Sequence, residues 1–397
     1  MSASPWAQCP YTLTTRHGDT VDTRVIGSII DYVLAADDTS IVSERIAGET
    51  TAIVSLTVTE AGYVDTPRNH RTFDAIADGL ARRRNDGRGG VTVLSCDNTT
   101  GNGDAARRCV LDAARRSDPT LAEWIAASCS FPNSMVDRIT PSTTDDDREY
   151  LLATYGLRDE WPVVSERFRQ WVIEDDFAAG RPDIDVVGAI VTDDVHLWEL
   201  YKLRLLNAGH TVIAHLAALA GIVHVDEALG VPELRDFLSA FLRDEATPTL
   251  EPIPGHPPQH YIADVLDRFA NIGIRDQIAR ICTDSTAKFE TFVMPILIDQ
   301  LERDGSIDHI AHALAAWTHY LATTPADEQA PDPAGETVRS LAHSAVGNPG
   351  AFLDERAGFP PRAIRDARLT TAYTNAHHAI ATHGPLVALH ELALRPK

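Results

Sequence analysis

The chain has 397 residues, 44% hydrophobic and 23% charged, enough to bury a large core without disulfide or metal support. Its 35 basic residues against 57 acidic ones leave a net charge of −22, which disfavours a cationic groove following a nucleic-acid backbone. Five cysteines without close pairs read as reduced thiols of a cytoplasmic protein, and no apolar run is long enough to span a membrane.

In chain order, the opening MSASPWAQCPYTLTTRHGD shows no targeting pattern. Residues 51–58 (TAIVSLTV) form a short β-branched apolar run, closed by Thr59-Glu60-Ala61-Gly62, as expected of a buried strand and its turn. Phe73 to Arg84 suits a crossover helix. Residues 91–96 (VTVLSC) predict a second strand, followed by the polar loop Asp97–Gly103 and a helix over 104–117. Strands alternating with helices predict a parallel sheet, whose ligands sit beyond the carboxyl ends of its strands. That rule points at 59–62 and 97–103.

Residues 131–140 (FPNSMVDRIT) read as an inter-element loop carrying Asn133 and an internal ion pair of Asp137 with Arg138, and Asp145-Asp146-Asp147 as a solvated turn. From residue 188 the pattern changes to long amphipathic segments at 194–220, 231–246, 258–282, 287–303, 307–321 and 361–393. A Pro/Ala-rich loop covers 323–335. Two domains are expected, 1–187 and 188–397.

The segment 196–210 (HLWELYKLRLLNAGH) carries the most chemical information. In an α-helix with Lys202 at the origin, Glu199 lies at about 60°, His210 at about 80° and Asn207 at about 140°. These four polar residues form either a solvated face or a catalytic one. The matching chemistry is alcohol oxidation. A desolvated lysine can take the hydroxyl proton, neutral amides can donate to the developing alkoxide, histidine can orient a hydroxyl, and a carboxylate can carry the proton away. No Cys/His cluster has zinc spacing, so a metal-free mechanism is expected. Residues 275–289 add Arg280, Ser285 and Lys288, which could donate to a neutral polyol or pair with a sugar acid.

Together these stretches resemble the long-chain, metal-independent polyol dehydrogenases of the mannitol dehydrogenase family. The matching segments are IVSLTVTEAGY at 53–63, LSCDN with GNG at 94–103, FPNSMVDRITP at 131–141, YKLRLLNAGH at 201–210 and DRFANIGIRDQIARICTDSTAKF at 267–289. The resemblance implies Lys202 as general base and Asn207 and Asn98 as the amide pair at the reacting oxygen. It further implies His210 as the substrate-orienting residue and Glu199 as the proton relay. Asp137, Arg280 and Lys288 would contact the remaining hydroxyls, and Thr59, Glu60, Gly62 and Asn98 would contact NAD, with NADP not distinguished.

Members of that family open with a strand and a G-x-G-x-F turn, which this sequence does not show. About 80–90 residues of a complete dinucleotide fold are therefore expected to be absent. The fold class expected is α/β, an incomplete Rossmann-like parallel-sheet domain followed by a mainly α-helical domain. The activity implied is interconversion of mannitol and fructose by a cytoplasmic monomer that binds neither nucleic acid nor membrane. A fructuronate or mannonate-type sugar-acid oxidoreductase and an inactive truncated homologue are the alternatives.

Overall fold

A computed structural model describes residues 10–35 and 39–395, and its chain divides into two compact units. The first comprises residues up to Arg16 and Val21–Glu199; the second comprises His17–Thr20 and Leu200 onward. No helix among the described residues is long and apolar enough to cross a membrane.

Among the described residues the strands are β1 (Tyr11–His17), β2 (Thr20–Ile26), β3 (Ile53–Leu56), β4 (Thr92–Ser95), β5 (Ser134–Asp137), β6 (Val163–Glu166), β7 (Gln170–Glu174) and β8 (Ile190–Thr192), all in the first unit but for His17–Thr20. The expected strands at 51–58 and 91–96 are β3 and β4, paired parallel with Ile53 opposite Thr92. Between them runs the helix Pro67–Asn85, longer at its start than the apolar pattern suggested. Thr66 caps it, its side chain accepting from the Asn69 amide, and Pro67 supplies a fixed φ where no helical N–H is needed.

The face carrying Phe73, Ile76, Ala77 and Leu80 packs with Val93, Val110 and Ile125 into one apolar cluster. Each fully buried aliphatic side chain there contributes about 1.5–3 kcal/mol. Leu80, with no exposed surface, should cost about 2–5 kcal/mol on truncation to alanine.

The sheets are smaller and less uniform than a single parallel sheet. β1 pairs parallel with β6, β3 with β4 and β7 with β8, whereas β5 runs antiparallel to β7. The stretch 131–140 is therefore not simply a loop. The strand Ser134-Met135-Val136-Asp137 buries Ser134, Met135 and Asp137, and Arg138 donates through Nε and Nη2 to the Glu166 carbonyl. The acidic triplet, exposed at Asp145 and Asp146 as expected, is helical rather than a turn. It opens the helix Asp145–Tyr155, where Asp147 and Thr144 form a capping box, and buried Asp147 also pairs with Arg16 at 2.8 Å.

The second unit is helical, and several expected long helices are interrupted. The 194–220 segment is an α-helix over His196–Tyr201, a π-helix over Lys202–Asn207 and an α-helix over Ala208–Leu219. The 231–246 segment likewise passes from α at Pro232–Ala240 to π at Phe241–Ala246, and the 287–303 segment changes at Phe289–Val293. The 258–282 segment breaks after Phe269, because the Asn271 side chain accepts the Gly18 and Gly273 amides and Arg275 turns to φ 49°. Gly384, at φ 78°, and Pro385 divide the last segment. At the centre, Trp317 stacks on Phe289 at 4.6 Å and meets Phe352 edge-on at 5.0 Å.

Candidate active site

In the first unit the candidate residues gather at the carboxyl ends of β3 and β4. Thr59 is exposed and Gly62 half-buried in the turn after β3, and Asn98 is exposed just after β4. The Glu60 side chain lies outside the described residues. Thr59 adopts φ 63° and ψ 167°, a backbone conformation that a β-branched residue strongly resists.

The GNG segment at 101–103 opens the helix Asn102–Ser117 with two differently used glycines. Gly101 is left-handed at φ 62°, whereas a Cβ on Gly103 would lie 2.5 Å from the carbonyl oxygens of Phe131 and Pro132. Between them, buried Asn102 donates to the Asp97 and Ser134 carbonyls at 2.9 and 2.8 Å and accepts from the Ser134 amide. This turn has the position of a phosphate-binding turn, but its amides are engaged. Gly101 donates to Glu199 at 3.2 Å, and Gly103 and Asp104 donate to the Asn133 side chain at 2.9 and 3.2 Å.

Glu199 is buried, and that burial raises its carboxyl pKa against the opposing effects of the Gly101 amide and His196. Asp137, also buried, ends β5 opposite Gln170.

In the second unit, buried Lys202 begins the π-segment and Asn207 ends it. Backbone bonding from i to i+5 brings residues five apart nearly into line along the helix. Lys202 and Asn207 are therefore closer in direction than the α-helical angle of about 140° implied. Three residues later, His210 stacks flat on Phe269, with ring centres 3.7 Å apart and planes 6° from parallel. Its Nε2 is buried without a hydrogen-bond partner among the described residues. Burial, reinforced by the charges of Arg280, Arg268 and Lys288 against the opposing Asp276, holds its pKa down to about 3. The ring is neutral at ordinary pH, so this nitrogen can accept or donate according to its tautomer.

Arg280 and Lys288 are neighbours of that site but are not bare cations. The Arg280 guanidinium grips Asp276 in a two-point pair, with Nε to Oδ1 at 2.6 Å. Lys288 Nζ donates to the carbonyls of Ile281 at 2.8 Å and Arg280 at 3.4 Å, and burial lowers its pKa. Ser285 instead turns into the core, its Oγ meeting His215 Nε2 at 3.1 Å. No group of three or more His, Cys, Asp or Glu residues is placed to hold a metal ion among the described residues.

Sequence reasoning missed Asp97, Tyr63, Phe269 and Asp276. The Asp97 side chain was visible only as part of a polar loop, and Phe269 only as an apolar helix position. Both acquire meaning from partners distant in sequence.

Residues 7–186 match the Mannitol dehydrogenase Rossmann domain, and residues 194–381 the Mannitol dehydrogenase C-terminal domain. Mannitol 2-dehydrogenase of Aspergillus fumigatus is 36% identical over 408 residues, covering 96% of this chain and 81% of the relative. That of Phaeosphaeria nodorum is 34% identical over 409 residues, covering 96% of this chain and 72% of its own. Pseudomonas fluorescens mannitol 2-dehydrogenase, solved as a ternary complex with NAD and D-mannitol, superposes with a TM-score of 0.81 at 32% identity, covering 98% of this chain and 84% of that one. Substrate-free D-sorbitol dehydrogenase superposes with a TM-score of 0.89 at 31% identity, over 96% of this chain and 84% of its own. The chain belongs to the mannitol dehydrogenase family.

Proposed function

We propose that this protein is an NAD-dependent polyol dehydrogenase that oxidises mannitol to fructose without a metal. The observation that carries this reading is the π-segment of the second unit. It brings a buried lysine and an asparagine closer in direction than an α-turn would, and a neutral histidine with a buried nitrogen unpartnered among the described residues follows one turn later.

Lys202 accepts the proton of the reacting hydroxyl, and the Asn207 and Asn98 amides donate to the oxygen as negative charge develops there. His210 Nε2 binds an adjacent hydroxyl and, pressed against Phe269, holds one ring orientation. Glu199, with its carboxyl pKa raised by burial, relays the proton from the lysine. Asp137, Arg280 and Lys288 engage the remaining hydroxyls.

The exposed Thr59 turn and Asn98, at the carboxyl ends of neighbouring parallel strands, fit the nicotinamide end of a dinucleotide. Thr59, Glu60, Gly62 and Asn98 would hold it. When bound, the cofactor accepts the hydride. The Gly101 and Gly103 amides, already engaged, are not assigned to its pyrophosphate.

A sugar acid is the second reading, since Arg280 and Lys288 are cationic. The pairing of Arg280 with Asp276 and of Lys288 with carbonyls favours a neutral polyol instead, because a carboxylate would have to compete for donors already in use. Retention of Lys202, Asn207, His210 and Asn98 argues against an inactive homologue. Steady-state rates on mannitol, arabinitol, sorbitol and mannonate separate the readings. Mannitol should give the highest kcat/KM, and a preference for mannonate of about tenfold or more would overturn the polyol assignment.

A further inference from the structure

We propose that Asp97 is a positioning residue that latches the strained Thr59–Tyr63 turn to the loop after β4 that carries Asn98, holding the dinucleotide-facing edge in a binding-competent shape. This inference rests on the dinucleotide-binding role assigned above.

Asp97 is 4% exposed, yet both of its carboxylate oxygens reach back to the loop after β3. Oδ1 accepts the Thr59 amide at 2.7 Å, and Oδ2 accepts the Tyr63 hydroxyl at 2.6 Å. The same hydroxyl meets Ser95 Oγ at 2.7 Å, tying Tyr63 to the end of β4 as well. From the opposite side, the Asn69 side-chain amide donates to the Ala61 and Val64 carbonyls at 2.7 and 2.8 Å. The turn is thus held at both of its ends.

Thr59 is the residue that needs holding. At φ 63° and ψ 167° its backbone is in territory that glycine enters freely and a β-branched residue does not. Left alone it would relax, swinging the exposed turn away from its present course. The charged acceptor at Thr59 N–H opposes that relaxation, because an ionised carboxylate binds an amide more strongly than a neutral group. Asp97 is adjacent in sequence to Asn98, and Asn102 fixes the Asp97 carbonyl at 2.9 Å. One side chain therefore sets the Thr59 turn relative to the backbone that carries Asn98.

The test combines hydrogen–deuterium exchange without ligand and NADH titration by fluorescence on Asp97→Ala and Asp97→Asn. Asp97→Ala should accelerate exchange of residues 57–63 by about tenfold, leave the helix Asn102–Ser117 as protected as before, and weaken NADH by about tenfold. Asp97→Asn keeps an oxygen for the Thr59 amide and should restore both readouts to within about threefold. Unchanged exchange at 57–63 in Asp97→Ala would overturn the latch, as would an Asp97→Asn variant no better protected and no tighter for NADH than Asp97→Ala. A latch that passes the exchange test in a protein whose parent form does not bind NADH would instead refute the dinucleotide assignment.

Discussion

Acid sensitivity should be written into the core of the second unit. His215 is 2% exposed, surrounded by Phe289, Trp317 and Tyr320, with Nε2 on Ser285 and Nδ1 unpartnered. Burial holds its pKa down to about 3, as it does for His210. The folded state keeps both rings neutral, whereas the unfolded chain protonates them below the ordinary value of 6.5. The unfolded state therefore binds more protons as pH falls, and stability is lost progressively between 6.5 and about 3.

Each unit of this gap is worth about 1.4 kcal/mol, so at pH of about 5 each ring costs about 2 kcal/mol relative to pH of about 8. Urea unfolding at the two pH values, on the parent and on His215→Gln, measures this directly. The variant should lose about 2 kcal/mol less stability than the parent across the interval, whatever its stability at pH of about 8. His210→Gln should change the pH dependence in the same direction. An equal loss in parent and His215→Gln would show that this histidine is not held neutral by burial.

Lys202→Ala should lower turnover by about two orders of magnitude or more near neutral pH with thermal unfolding preserved, and activity within about threefold of the parent would show the base to be misassigned. Because burial raises the Glu199 pKa, turnover should fall as pH drops and the relay carboxylate becomes protonated; Glu199→Gln should slow the parent and remove that limb of the profile. Glu245 has no exposed surface and accepts from the His309 and Ile310 amides, the His309 ring and Ser306 Oγ, at 2.8 to 2.9 Å. Glu245→Ala should therefore cost about 3–5 kcal/mol in chemical unfolding, and a cost below about 1 kcal/mol would refute its role as anchor of the helix Asp308–Thr323.

Hydrophobic periodicity made β3, β4 and the helices beside them legible, because those helices and β4 bury apolar side chains at regular spacing. It could not reveal the three π-segments, since a single wide turn leaves the apolar pattern intact while rotating everything after it. The displacement of Asn207 from its α-helical direction is the clearest consequence. The acidic triplet and the 131–140 stretch were misread for a related reason. Asp147 takes Arg16 as a partner and Met135 lies in a strand paired with Gln170–Glu174, and neither of those partners is near in sequence. The site residues were readable as a resemblance, but their electrostatics were not. Arg280 looked like an open cation until Asp276 closed on it, and the strain at Thr59 exists only in the folded backbone.

The most direct test of the account is the appearance of reduced nicotinamide when the protein is mixed with NAD and mannitol, run beside Lys202→Ala. The account predicts mannitol-dependent reduction that Lys202→Ala abolishes while remaining folded. Reduction undiminished in Lys202→Ala, or none with mannitol while mannonate is turned over, would contradict it.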